Sequence, residues 1–147
     1  MAKMSIIFDG FKDLADAIDR SGGDLHKAVN DALQQTQQLI QSNVRSAAAP
    51  YAAKGLQGYA KGDMHGSILR DKAVTWKGTV AEVKTGFSAN GGATLNGFMH
   101  SIFIMYGTPR INKDQKVFNA IKGTKTRNDV AKLQEKIMLD YLDLNGR

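Results

Sequence analysis

The sequence predicts an α+β domain in which a mainly antiparallel sheet of about four strands packs on a long amphipathic helix, with a short N-terminal strand and C-terminal helices. Three observations lead there. Between Asp24 and Pro50, apolar residues recur at helical spacing through about six turns. Residues 79–85 alternate apolar and polar side chains at the period of a half-buried strand. Beyond position 116 apolar stripes return at helical spacing. No internal repeat and no strong boundary interrupts the chain, so residues 1–147 are expected to form a single domain.

Residues 4–8 are apolar and stop at Asp9-Gly10, which reads as a short strand running into a turn. Phe11, Leu14, Ala15 and Ile18 then mark a helix that ends before Ser21-Gly22-Gly23. Asp24 is a good N-cap for the long helix. Its stripe is Ala28, Val29, Ala32, Leu33, Thr36, Leu39, Ile40, Asn43, Val44 and Ala47, and its other face is rich in glutamine: Gln34, Gln35, Gln37, Gln38 and Gln41. Pro50 ends it.

Residues 50–63 hold three glycines, two tyrosines and two lysines with little to bury, and read as a mobile arm that orders against a partner. Met64, Ile68, Ala73, Val74, Trp76, Val80, Ala81, Val83 and Phe87 then suggest two or three strands. In residues 79–85, Glu82 and Lys84 share the polar face, and Lys77-Gly78 supplies a two-residue turn. Residues 88–97 form a second glycine- and asparagine-rich arm. The apolar run 98–106 reads as a buried strand stopped at Gly107-Thr108-Pro109-Arg110. Val117, Phe118, Ala120 and Ile121 make a short helix ending at Gly123. Thr126 with Asp129 resembles a capping box for a final helix over about 127–144, striped by Val130, Leu133, Ile137 and Tyr141.

The composition, 42% hydrophobic and 23% charged, is that of an ordinary soluble protein. A chain of 147 residues buries roughly two-thirds of its unfolded surface. It has no cysteine, which excludes disulfides, thiolate metal sites and cysteine nucleophiles. The longest apolar run, 102–106, is far short of the roughly 18 residues of a membrane span, and Met1-Ala2-Lys3-Met4 lacks the long apolar segment of a signal peptide, so export by the usual route is not expected. No membrane partner is expected. Residues 43–127 carry thirteen of the twenty lysines and arginines against four carboxylates, Asp63, Asp71, Glu82 and Asp114, a net +9 that favours an anionic partner.

Candidate chemistry is sparse. Asp63-x-His65 brings two ligand types together without a third, His26 has no ligand-forming neighbour at helical spacing, and His100 sits in an apolar run. Asp9, Asp13, Asp16 and Asp19 form an acidic helix face. There is no nucleophile elbow, no phosphate loop and no dinucleotide fingerprint. No catalytic residue, metal or cofactor is assigned, and a non-enzymatic role is expected, with a small hydrolase built on Asp63 and His65 as the enzymatic alternative. Tyr51 and Tyr59 interleaved with Lys54 and Lys61 suit base stacking and phosphate contact, which keeps a sequence-independent nucleic-acid-binding protein as a further alternative.

The segment His100-Ser101-Ile102-Phe103-Ile104-Met105-Tyr106-Gly107-Thr108-Pro109-Arg110, followed by Val117-Phe118-Asn119-Ala120-Ile121, resembles a pattern in the neck and tail-completion proteins of long-tailed double-stranded DNA phages. There an aromatic-apolar strand ends in an acidic residue, an aromatic and Gly-Thr, and a short helix carrying an aromatic and an alanine follows. Phe8-Asp9-Gly10-Phe11-Lys12-Asp13-Leu14 resembles the opening strand, turn and helix start. Ala48-Ala49-Pro50 resembles the end of the long helix, and Gly62-Asp63-Met64 with Ser67-Ile68 resembles the entry to the sheet. The resemblance runs from about residue 6 to 122. Met105 stands where the family carries Glu, and Lys116-Val117-Phe118 replaces its Pro-Phe.

The resemblance implies a structural protein of the virion, made in the bacterial host cytoplasm and placed at the head–tail junction. Its partners would be further copies of itself in a ring, head-closure or connector proteins on one side, and tail-terminator or tail-tube proteins on the other. Ring contacts of this kind run head to tail. The implied interface residues are Ile104, Met105, Tyr106, Gly107 and Thr108 at the glycine-stopped segment, with Tyr51, Leu56 and Tyr59 in the first arm. Lys54, Lys61, Lys113 and Lys116 are candidates to face passing DNA in the channel.

Overall fold

The computed structural model describes residues 2–51, 67–69, 73–88 and 95–145. In chain order the elements are β1 (Ala2–Met4), α1 (Phe11–Arg20), α2 (Leu25–Ala48), β2 (Thr75–Lys77), β3 (Val80–Thr85), α3 (Leu95–Tyr106), α4 (Gln115–Lys122) and α5 (Thr124–Asn145). A 3-10 turn, Ala49–Tyr51, continues α2 through Pro50. The class is α+β, and among the described residues the sheet has three strands rather than about four.

Helix α2 is the spine. Its 24 residues span about 36 Å at the usual rise. Asp24 caps it by accepting from the Lys27 amide at 3.0 Å. The stripe read from the sequence is its buried face: Ala28, Ala32, Leu33, Ile40 and Val44 are fully enclosed. Two apolar clusters lie along it. One gathers Phe8, Ile18, Val29, Leu33, Ala81, Val83 and Met138 at its start; the other gathers Ile40, Val44, Phe87, Met105, Val117, Ile121 and Val130 at its end. Helix α5 contributes Val130 to the far cluster and Met138 to the near one, so it runs back antiparallel to α2.

The sheet order is β1-β3-β2, all antiparallel, with Lys3 opposite Lys84 and Trp76 opposite Ala81. Ala81, Val83 and Thr85 point inward, while Glu82 on the outer face pairs with Lys77 at 3.2 Å and Lys3 at 3.5 Å. The strand pattern in 79–85 therefore holds. The hairpin turn is Gly78-Thr79 rather than Lys77-Gly78, because Lys77 pairs with Val80 and the positive φ needed at the first turn position falls on Gly78. The first strand lies at Ala2–Met4, ahead of the expected 4–8, since Met4 is the last residue to find a partner, in Val83.

Three further expectations change. Residues 98–106 are not a strand but most of α3. Phe98, Ser101, Ile102 and Met105 face inward at spacings of three or four, while Met99, Phe103 and Tyr106 face out. A helical period was present, but with both faces apolar there was no polar contrast to reveal it. Thr126 is not an N-cap: α5 starts at Thr124, and the Thr126 hydroxyl donates to the Asn119 carbonyl at 2.7 Å, tying α5 to the end of α4. The second arm, 88–97, is shorter than expected because 95–97 already belong to α3; positions 89–94 lie outside the described residues, as do 52–63 of the first arm.

Two of the five glutamines also leave the surface. Gln37 and Gln41 are buried, and they bond to the backbone of the sheet: Gln37 Nε2 donates to the Lys84 carbonyl at 2.9 Å, and Gln41 accepts from the Gly86 amide at 2.9 Å while donating to the Leu69 carbonyl. From α5, the fully buried Gln134 accepts from the Ile7 amide at 2.9 Å and donates to the Ser5 carbonyl and the Thr36 hydroxyl, both at 3.0 Å. Among the described residues no buried side-chain nitrogen or oxygen lacks a partner.

Replacing Gln134 with Leu leaves those backbone groups in an apolar site without a partner. We predict a loss of roughly 2–4 kcal/mol, read as a lower urea midpoint at unchanged slope. Gln35→Leu, on the exposed side of α2, should change stability by less than about 0.5 kcal/mol.

Candidate functional site

The residues that the sequence singled out around position 106 fall at the end of α3, in the turn after it and on α4. Helix α3 stops where Gly107 adopts φ +77°, its amide donating to the Phe103 carbonyl at 2.7 Å. A side chain at 107 would be strained by that φ and would sit 3.0 Å from the Lys113 nitrogen and 3.1 Å from the Ile111 carbonyl oxygen. Thr108 then closes a tight turn, its Oγ1 accepting from Arg110 and Ile111 amides at 3.2 and 3.0 Å. The Asp114 amide returns to the Ile104 carbonyl at 2.7 Å, which brings the start of α4 back against the end of α3.

Asp114 holds the corner. One of its oxygens caps α4 by accepting from the Lys116 and Val117 amides at 3.0 and 3.3 Å, and the other accepts from the Tyr51 hydroxyl at 2.5 Å. Tyr51 thus joins the end of α2 to the start of α4. Burial of its ring, together with the hydrogen bond and charge of Asp114, pushes its pKa up to about 12. At the other end of the molecule the Tyr141 hydroxyl donates to Asp31, and that bond, ahead of burial and the charges of Asp31 and Asp24, pushes Tyr141 up to about 12 as well.

The five interface residues expected at the glycine-stopped segment separate into three groups. Met105 is buried and Ile104 packs against the far cluster, so these two hold α3 in place. Gly107 and Thr108 shape the turn. Only Tyr106, 52% exposed, presents a large surface. Its ring meets Phe118 edge-on with centroids 5.9 Å apart, its hydroxyl accepts from Lys122 Nζ at 2.6 Å, and Lys113 Nζ lies 3.6 Å over the Phe118 ring. Phe103 and Met99, not singled out from the sequence, are exposed one and two turns before Tyr106 and extend it into a stripe. Lys113 and Lys116 are both exposed here, beside Arg110, Lys122, Lys125 and Arg127. Leu56, Tyr59, Lys54 and Lys61 lie outside the described residues, as do Asp63 and His65.

The arrangement is an apolar stripe framed by cations, some resting on aromatic faces. Among the described residues no group of three or more His, Cys, Asp or Glu side chains is placed to share a metal ion, and no helix is long and apolar enough to cross a membrane. No known protein family, curated protein or solved structure matches the chain.

The two raised tyrosines make alkaline stability testable. The fold prefers the neutral phenol, so the folded chain keeps protons that the unfolded chain releases near the ordinary value of 10.0. Their contribution is complete below pH 10 and is lost as pH rises towards 12. Stability measured across that window should fall less steeply in Tyr51→Phe and Tyr141→Phe than in the parent chain.

Proposed function

We propose that this chain is a structural protein of the head–tail junction of a long-tailed phage, part of a neck or tail-completion ring that helps join tail to head. The observation that carries the reading is the exposed stripe of Met99, Phe103 and Tyr106, which lies on the segment whose sequence resembles that family. Large apolar side chains aligned on one helical face and rimmed by polar groups mark a surface that another protein covers. The helix takes over the docking role first given to a strand: the contact is a helix face laid on a partner rather than strand addition to a sheet. Ring closure through several copies would make up for the small area of each contact. Head-closure or connector proteins and tail-terminator or tail-tube proteins are the neighbours above and below the ring.

The test is genetic and compositional. The chain should be found by mass spectrometry in purified tailed particles. Phe103→Glu should leave the circular dichroism of the isolated protein unchanged, yet lower the yield of infectious particles by roughly tenfold or more. Unjoined heads and tails should accumulate in its place. Normal yields from Phe103→Glu would sink the reading.

A second reading rests on the exposed basic row Arg110, Lys113, Lys116, Lys122, Lys125 and Arg127, in which Lys125 alone has an acidic partner, Asp129 at 3.3 Å, among the described residues. If this row binds DNA through six phosphates, affinity should drop by about a thousandfold between roughly 50 and 200 mM salt. An affinity that does not vary with salt, or no binding at low salt, removes it.

A further inference from the structure

At the start of α2, opposite the end that holds α3, the fold leaves an apolar groove of about 540 Å³. Its walls are Ile6, Phe11, Leu25, Val29, Trp76 and Val80. Trp76 is held in place: its ring stacks on His26, which also lines the groove, at 4.1 Å and 14°, and its Nε1 donates to the Asn30 Oδ1 at 2.8 Å. Val80 stands at the mouth, 54% exposed in spite of its size. The surface is concave, apolar and braced, the form that receives a helix face.

The charges around the two surfaces are opposite. Residues 9–31, which include the α1 wall of the groove, carry six carboxylates against the three cations Lys12, Arg20 and Lys27, with Asp9, Asp13, Asp16 and Asp19 all exposed, while Lys77 on the hairpin wall is paired with Glu82 at 3.2 Å. Residues 110–127, which frame the α3 stripe, carry six cations against one carboxylate, and that one, Asp114, is occupied in capping α4. The stripe and the groove cannot meet within one chain. The inner face of α3 joins the cluster around Val44, and the groove takes in Val29, two α2 positions that a rigid helix keeps about 22 Å apart. Stripe against stripe would oppose like charges.

We propose that the Met99, Phe103 and Tyr106 stripe of one chain seats in the Trp76 groove of a second copy, head to tail. The inference rests on the reading of the stripe as a ring-forming surface, though not on the particle that holds the ring. Such a contact is heterologous, so repeating it closes a ring or extends a filament. One helix face in one groove falls at or below the roughly 1,200 Å² of stable complexes, which makes the pairing weak in free solution and strong only when closed on itself.

The native absence of cysteine makes disulfide trapping clean. Phe103→Cys and Thr79→Cys, the second at the groove and exposed, should each remain largely monomeric on mild oxidation. Mixed, they should give 79–103 heterodimers, and a chain carrying both should give a ladder of oligomers. Adding Val80→Glu should reduce the ladder about tenfold with the circular dichroism unchanged. The proposal is overturned if Phe103→Cys pairs with itself faster than with Thr79→Cys, or if Lys132→Cys on the exposed side of α5 serves equally well in place of Thr79→Cys. Trapping by a chain that is missing from virions leaves this contact standing and removes the junction reading; a chain present in virions that never forms the 79–103 bond does the reverse.

Discussion

Gln37 and Gln41 leave α2 on the side that faces the sheet, and the rest of the structure depends on what their amides do there. The sheet is small, and its strands run out of partners quickly: β1 covers three residues of β3 and β2 covers three others. Past Thr85 the chain turns through Gly86, and the neighbouring segment 67–69 meets it with a single bridge, Ile68 to Phe87. Backbone groups exposed at such an ending would each cost about 1–3 kcal/mol if buried without a partner. The glutamine amides supply donors to the Lys84 and Leu69 carbonyls and an acceptor to the Gly86 amide. Helix and sheet can therefore pack with their edges dry, and Gln134 does the same for the chain entering α1 from the α5 side.

This bracing has a consequence for the surface. With α2 tied to the sheet and to α5 along its length, the two clusters at its ends hold fixed positions relative to one another. The far cluster presents α3, clamped by the Gly107 turn and by the Tyr51–Asp114 hydrogen bond. Gly123 performs a similar service between α4 and α5: its φ is ordinary, yet a Cβ there would lie 2.6 Å from the Asn119 carbonyl oxygen, so only glycine lets the two helices join so closely. The near cluster presents the Trp76 groove. The proposed association in series would join the two ends, an apolar ridge ringed by cations and an apolar hollow beside the acidic residues of α1.

Much of the scaffold was legible in the chain because burial leaves a periodic trace wherever one face is wet. The α2 stripe, the 79–85 strand and the short helix before Gly123 each contrast an apolar face with a polar one, and each was read correctly. The same rule explains the failures. Residues 98–106 are apolar on both faces of a helix, so the period was hidden, and the exposed face that erased it is the proposed docking surface. Gln37 and Gln41 are polar on a buried face, so they were assigned to solvent. In both cases the exception to the pattern marks a place where a partner, protein or backbone, supplies what water would.

By itself, then, the sequence determined the class of fold, the central helix with its Asp24 cap, the inward residues of β3 and the concentration of positive charge over the middle of the chain, since these depend on local spacing and on composition. Only the tertiary structure decided that Met99, Phe103 and Tyr106 share an uncovered face, that Trp76 lines a hollow at the start of α2, and that buried glutamines bond the backbone around Thr85. Those outcomes turn on which surfaces meet across the chain, and a side chain at 134 that bonds the backbone at position 5 leaves no periodic signal for one-dimensional reading to find.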